Sequence, residues 1–160
     1  MKTRFLLTIM VLGGCLAFMS CKDNKSDKKE NTEQSAADKK KAEQEALKKA
    51  VQEAIEKDGI VLQGGDETIG AQKNGEAYTG EVWSLDKRSF VMNFKDGQPV
   101  NSITYHKNGK IAIMADSEKG TETYYDEEGN EMEGDAFLKQ YEKYIDEIGP
   151  QMESVFERMQ

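Results

Sequence analysis

The chain is poor in the residues that most readily announce chemistry: across 160 positions it holds two cysteines, two prolines and a single histidine. Two cysteines cannot staple a disulfide scaffold, and one histidine cannot build a multi-histidine zinc cage. Two prolines exclude a proline-rich recognition tract. Basic charge is short as well. The 22 Lys and Arg stand against 30 Asp and Glu, a formal net charge of −8, which removes the basic face that nucleic acid requires. With 8% aromatic and 32% charged residues, one folded domain is the most the chain supports.

What is present is unevenly placed. Residues 1–20 carry Lys2 and Arg4, a 15-residue apolar run from Phe5 to Met19 and no acid, the layout of an export signal. The run falls short of the roughly 20 residues that span a bilayer. Ser20-Cys21-Lys22-Asp23 follows, a small residue, a cysteine and then abrupt polarity. This resembles the signal of bacterial lipoproteins, which are cut before a cysteine that becomes acylated. Cys15, after Leu12-Gly13-Gly14, competes for the role and fits the Leu-small-small-Cys pattern better. Cys21 is preferred because the charged stretch begins immediately after it, whereas cutting at Cys15 leaves Leu16–Met19 at the new end. The resemblance implies membrane attachment through acyl chains such as palmitate on Cys21, since two or more chains anchor stably where one does not. The segment Cys21–Glu30 is similar to lipoproteins of the Bacteroidetes, implying an outer-membrane protein that faces the cell surface or the periplasm.

Without residues 1–20 the basic count falls to 20 while all 30 acids remain. Twelve of those acids lie in residues 121–160 beside three basic residues, so the acidity belongs to the C-terminal end. No aromatic occurs from Lys22 to Ala77, and all eleven that remain fall between Tyr78 and Phe156, which places the core there. Residues 21–36 lack large apolar side chains and are expected to form a disordered tether. Residues 37–58 are rich in Ala, Glu, Lys and Gln, with Leu47, Val51 and Ile55 on one stripe, and predict a charged helix ending at Asp58-Gly59.

Across residues 59–134 the periodicity changes to two. Phe90, Met92 and Phe94 alternate with Val91 and Asn93, and Ile111 and Ile113 alternate with their neighbours. Lys95-Asp96-Gly97-Gln98, Lys107-Asn108-Gly109-Lys110 and Glu127-Glu128-Gly129-Asn130 supply hairpin turns. In residues 135–160, Asp135 is the expected N-cap of a helix striped by Phe137, Tyr141, Tyr144, Ile145 and Ile148. Gly149-Pro150 is expected to stop it, with a short last helix carrying Met152, Val155, Phe156 and Met159. These stripes read as cover for one face of the sheet. The expected class is α+β: an antiparallel meander with an N-terminal helix and C-terminal helices.

Tyr105-His106-Lys107-Asn108-Gly109-Lys110 and Tyr125-Asp126-Glu127-Glu128-Gly129-Asn130 share an aromatic followed four residues later by Gly, at a step of 20. Gly75-Glu76-Ala77-Tyr78-Thr79-Gly80-Glu81-Val82-Trp83 and Phe94-Lys95-Asp96-Gly97 extend the pattern upstream, although Trp83 has Lys87 in place of Gly four positions on. Over Gly75–Met132 this resembles the degenerate MORN-like repeats of the YwqK-type antitoxin family. The resemblance implies a non-enzymatic array of β-hairpins used for contacts.

Residues fit for catalysis are scarce. His106 sits at a turn and is expected to be exposed. No Gly-x-Ser-x-Gly elbow or phosphate-cradling loop occurs, and Asp126 with Glu128 does not meet calcium-loop spacing. Gly64-Gly65-Asp66 reads as a loop. No catalytic residue, cofactor or metal is expected. The leading expectation is a lipid-anchored protein that contacts a protein or other ligand through Tyr78, Trp83, Tyr105 and Tyr124. An immunity-like inhibitor that meets a basic toxin with its acidic end is the alternative. An enzyme would need two converging carboxylates in unlike environments.

Overall fold

The computed structural model describes residues 30–64 and 69–160. The export signal, Cys15 and Cys21 lie outside the described residues, as does most of the Gly64-Gly65-Asp66 loop. The fold divides between Glu45 and Ala46. The first unit contributes the N-terminal part of helix α1 (Glu30–Asp58), where an exposed Lys39–Glu43 pair at 3.9 Å adds little stability. Helix was expected only from residue 37, after a tether; it begins at Glu30 instead. The absence of apolar residues removed a reason to pack, but Glu30–Ala36 contains no Gly or Pro and nothing in it breaks a helix.

The second unit holds the rest. Val51 is buried there, with Leu47 and Ile55 half-buried on the same stripe. Gly59 ends α1 in the left-handed region (φ 68°), its N–H bonded to Ile55 O at 2.8 Å. A Cβ at Gly59 would meet only the exposed Asn74 side chain, which can swing aside, so the left-handed backbone and not space is what favours glycine here.

All sheet pairing is antiparallel and follows chain order. Strands β1 (Ile60–Gly64), β2 (Ile69–Lys73) and β3 (Glu76–Ala77) form one sheet. Strands β4 (Gly80–Trp83), β5 (Phe90–Lys95), β6 (Gln98–Tyr105), β7 (Ile111–Asp116), β8 (Thr121–Tyr125) and β9 (Glu131–Met132) form the second. Two hairpins turn through consecutive positive-φ residues, Asn74-Gly75 (53°, 86°) and Asp96-Gly97 (51°, 80°), the backbone that matches strand twist in two-residue connections. The Gly97 tip joins the sheets: Gly97 O accepts from Ala71 N at 2.9 Å and Gly97 N donates to Tyr78 O at 2.9 Å.

The core lies between the sheets and the C-terminal helices. Ile60, Leu62, Ala71, Val82, Phe90, Met92, Phe94 and Val155 form it, with Tyr78, Met152 and Phe156 packed against it. The expected alternation of Phe90, Met92 and Phe94 is the inward face of β5.

The C-terminal helices depart from expectation at three points. Helix α2 spans Gly134–Gln140 with Glu133 as N-cap and no side-chain cap bond. Asp135 lies in the first turn, where its charge faces the exposed amides of the helix start. The break comes at Tyr141, and helix α3 (Glu142–Phe156) then runs through Gly149 and Pro150. Proline costs an interior hydrogen bond, about 3 kcal/mol or more. Here the carbonyl it orphans belongs to Asp146 on the exposed side, where water can serve it, while Ile148, Met152 and Val155 keep the apolar stripe continuous. Among the described residues no helix is long and apolar enough to cross a membrane.

Candidate functional site

Strand alternation divides the six-stranded sheet into two unlike faces. Val82, Phe90 and Met92 point to the core, and the helices meet that face: Phe156 lies 6.1 Å from Phe90 and Phe137 5.3 Å from Tyr124, centroid to centroid. The opposite face carries the cross-strand row Trp83, Val91, Ile103, Met114 and Thr123. Val91 is 1% exposed, and the four around it are half-buried. The Tyr105 ring stacks on Trp83 at 5.9 Å with 15° between planes, and Trp83 Nε1 donates to Glu81 Oε2 at 2.7 Å. A band of aromatic and aliphatic side chains therefore lies on the side away from the α2 and α3 ring contacts.

The structure brings together two of the four aromatics expected to make contacts. Trp83 and Tyr105 are stacked on the band. Tyr78 instead packs against the core, with its hydroxyl donating to Glu81 O at 3.3 Å. Tyr124 faces α2, and its hydroxyl donates to Glu122 Oε2 at 2.5 Å. Burial, then the hydrogen bond and charge of Glu122, push the Tyr124 phenol up to about 12, so it stays a neutral donor. Val91, Ile103 and Met114 were not anticipated on this face of the sheet. Their signal was the residue set between the Phe90, Met92 and Phe94 positions, which alternation sends to the other face.

His106 is the largest correction. Expected as an exposed turn residue, it is 3% exposed, with ring centroids 6.1 Å from Phe137, 5.1 Å from Tyr141 and 5.3 Å from Tyr144. Its Nε2 lies 2.8 Å from Tyr125 O, and since a carbonyl only accepts, Nε2 carries the proton. No buried side-chain nitrogen or oxygen among the described residues lacks a partner. The reason for burial is non-local. Phe137, Tyr141 and Tyr144 fall at i, i+4 and i+7 and bring their rings down on the turn from α2, the break and α3.

That turn is tied to the one 20 residues on, between β8 and β9, past the intervening turn that joins β7 to β8. In both, the first residue's N–H donates to the fifth residue's carbonyl: His106 to Lys110 at 2.8 Å and Asp126 to Asn130 at 2.9 Å. Asn108 Nδ2 donates to Glu127 O and Lys110 Nζ to Glu128 O, each at 2.9 Å, alongside the His106 bond to Tyr125 O. Gly109 and Gly129 hold φ of 83° and 90°. Lys87, four residues after Trp83, holds φ of 54°, so the position that departs from glycine in sequence keeps the left-handed backbone.

Two recesses lie near the His106 cluster, and His106 lines the smaller. One of about 180 Å³ is walled by Asp86, Arg88, His106 and Tyr144; another of about 510 Å³ by Lys139, Tyr141, Glu142 and Lys143. The Lys107–Glu147 ion pair borders both. Burial drives the Tyr144 phenol above its ordinary range, and its hydroxyl donates to Tyr105 O at 2.7 Å. Burial also pushes the Asp86 carboxyl up, but hydrogen bonds from Ser84 and Ser89 side chains and from the Ser89 and Arg88 amides outweigh it and hold Asp86 down at about 2. Asp86 is thereby the ionised cap of its turn. Asp126 is likewise lowered, first by the Asn130 side chain and then by its amide. Among the described residues no three His, Cys, Asp or Glu side chains are grouped to hold a metal ion. The chain matches no family model, no characterised protein and no solved structure.

Proposed function

We propose that this is a lipid-anchored, non-enzymatic protein of the bacterial outer membrane, held by acyl chains on Cys21, that presents a MORN-like β domain for contact with a protein partner at the cell surface or in the periplasm. The observation that carries the contact reading is the stacked Trp83–Tyr105 pair on the Val91, Ile103 and Met114 row. Half-buried aromatics beside a desolvated aliphatic centre are the side chains that dominate binding energy when covered. The non-enzymatic reading rests on where the polar groups point: His106 Nε2 and the Asp86 oxygens are committed to holding turns. The like geometry of the turns at 106–110 and 126–130 supports a hairpin array.

A second reading has its own observation. Glu127, Glu128, Glu131, Glu133, Asp135, Glu142 and Asp146 are all exposed, which suits an immunity-like inhibitor that meets a basic toxin. Affinity capture from envelope extracts at low and high salt separates the two. The aromatic reading expects a partner that survives high salt and is lost from the Trp83→Ala and Tyr105→Ala variants. Loss only on neutralising the acidic end, with release by salt, would favour the second reading and reject the first. For the anchor, Cys21→Ala should leave the precursor uncut or release the protein from membranes; unchanged fractionation would return the lipid to Cys15.

A further inference from the structure

Strand β1 is an outer strand of its sheet, and an apolar edge strand is an invitation to pair with another chain. Here the edge is occupied from within the chain. Leu62 N donates to Arg158 O and Gln160 N donates to Leu62 O, both at 3.0 Å, which forms a parallel bridge between Leu62 and Met159. Main-chain groups two residues apart point the same way, so Ile60 shares this edge. Its N–H donates to Asp58 Oδ1 at 2.9 Å, and its carbonyl accepts from Arg158 Nη1 at 3.2 Å. The same Nη1 donates to both Asp58 oxygens, at 3.1 and 3.0 Å, and the Arg158 side chain is only 6% exposed. Every outward main-chain group of Ile60 and Leu62 is therefore satisfied by Asp58 and the three residues Arg158–Gln160. The Met159 sulfur completes the seat, 3.3 Å from where a Gly64 Cβ would stand.

We propose that the outer edge of β1 is a strand-accepting site, filled in cis by Arg158–Gln160, whose ligand is an extended peptide segment that runs parallel to β1 and begins with arginine. The selectivity follows from the seat. A parallel segment repeats the two main-chain bonds at Leu62, and only a guanidinium reaches the Asp58 carboxylate and the Ile60 carbonyl together. The occupant continues from α3 in a turn, Arg158 N–H bonding Val155 O at 3.2 Å and Met159 N–H bonding Phe156 O at 3.0 Å, while the Val155 side chain belongs to the core that precedes it. The proposal does not depend on the Trp83 face.

The test uses the full chain and a fluorescent peptide of the Ser154–Gln160 sequence. An Arg158→Ala, Gln160→Pro double variant, which empties the guanidinium seat and removes the amide that bonds Leu62 O, should bind the peptide at least ten-fold more tightly than wild type by fluorescence anisotropy. Replacing the peptide's arginine by alanine, or adding Asp58→Asn to the variant, should abolish binding. Equal affinity for wild type and variant, or binding indifferent to the peptide's arginine, overturns the proposal. Native-state hydrogen exchange on wild type decides independently, even if the double variant does not fold. The Leu62 amide should exchange at least ten-fold faster than the Met92 amide, because it opens without global unfolding; equal rates would mean that the segment never leaves and would overturn the assignment.

Discussion

Replacing His106 with phenylalanine isolates what the imidazole does beyond filling space. The ring contacts with Phe137, Tyr141 and Tyr144 are largely kept, while the Nε2 donor to Tyr125 O is lost. A buried acceptor stripped of its donor costs about 1 to 3 kcal/mol, and Tyr125 is only half-buried, so the lower part of that range applies. At roughly 4 to 8 °C per kcal/mol for a domain of about this size, His106→Phe should melt some 5 to 15 °C below wild type. His106→Ala removes ring contacts as well and should cost about 3 kcal/mol or more. Thermal unfolding followed by circular dichroism measures both. If the phenylalanine variant melts within about 2 °C of wild type while the alanine variant falls steeply, the imidazole is only a spacer and the hydrogen-bond argument fails.

Three further outcomes follow from the geometry. Asp86 has a folded pKa of about 2, below its ordinary 3.8, so its contribution is complete above about pH 4 and disappears as pH falls through 2; acid titration of stability should show wild type losing its advantage over Asp86→Asn across that window. A Cβ at Gly109 would meet no atom within 4 Å, yet φ is 83°, so Gly109→Ala should cost about 1 to 2 kcal/mol in urea denaturation through backbone strain alone, whereas Lys87→Gly should cost nothing. Tyr144→Phe removes the hydroxyl that donates to Tyr105 O, and about 1 kcal/mol of stability should go with it by the same assay.

The sheets were legible because their determinants are local. Period-two alternation from Phe90 to Phe94 and turns such as Lys95-Asp96-Gly97-Gln98 each act within a few residues, and the meander follows from their order. The departures at His106 and Pro150 and among the contact residues depend on distant partners, unlike the early start of α1. Nothing beside His106 in the chain says that rings from Phe137, Tyr141 and Tyr144 will cover it. Pro150 looked like a helix stop because the exposure of the carbonyl it orphans is a property of the packed helix. Of the expected contact residues, Trp83 and Tyr105 converge because cross-strand register places them together, while Tyr124 follows its strand's phase to the other side and Tyr78, in the connection between β3 and β4, packs on the core.

The bonds between the turns at 106–110 and 126–130 bear on how such a chain can change over time. His106, Asn108 and Lys110 act as donors through their side chains, but the acceptors are the main-chain oxygens of Tyr125, Glu127 and Glu128. Any residue offers such an oxygen. The accepting turn can therefore exchange its side chains without releasing its neighbour, provided its backbone path is kept, as Lys87 keeps a left-handed path without glycine. Side-chain exchange in the accepting turn should therefore leave this tie intact, whereas a change in its backbone angles should break it.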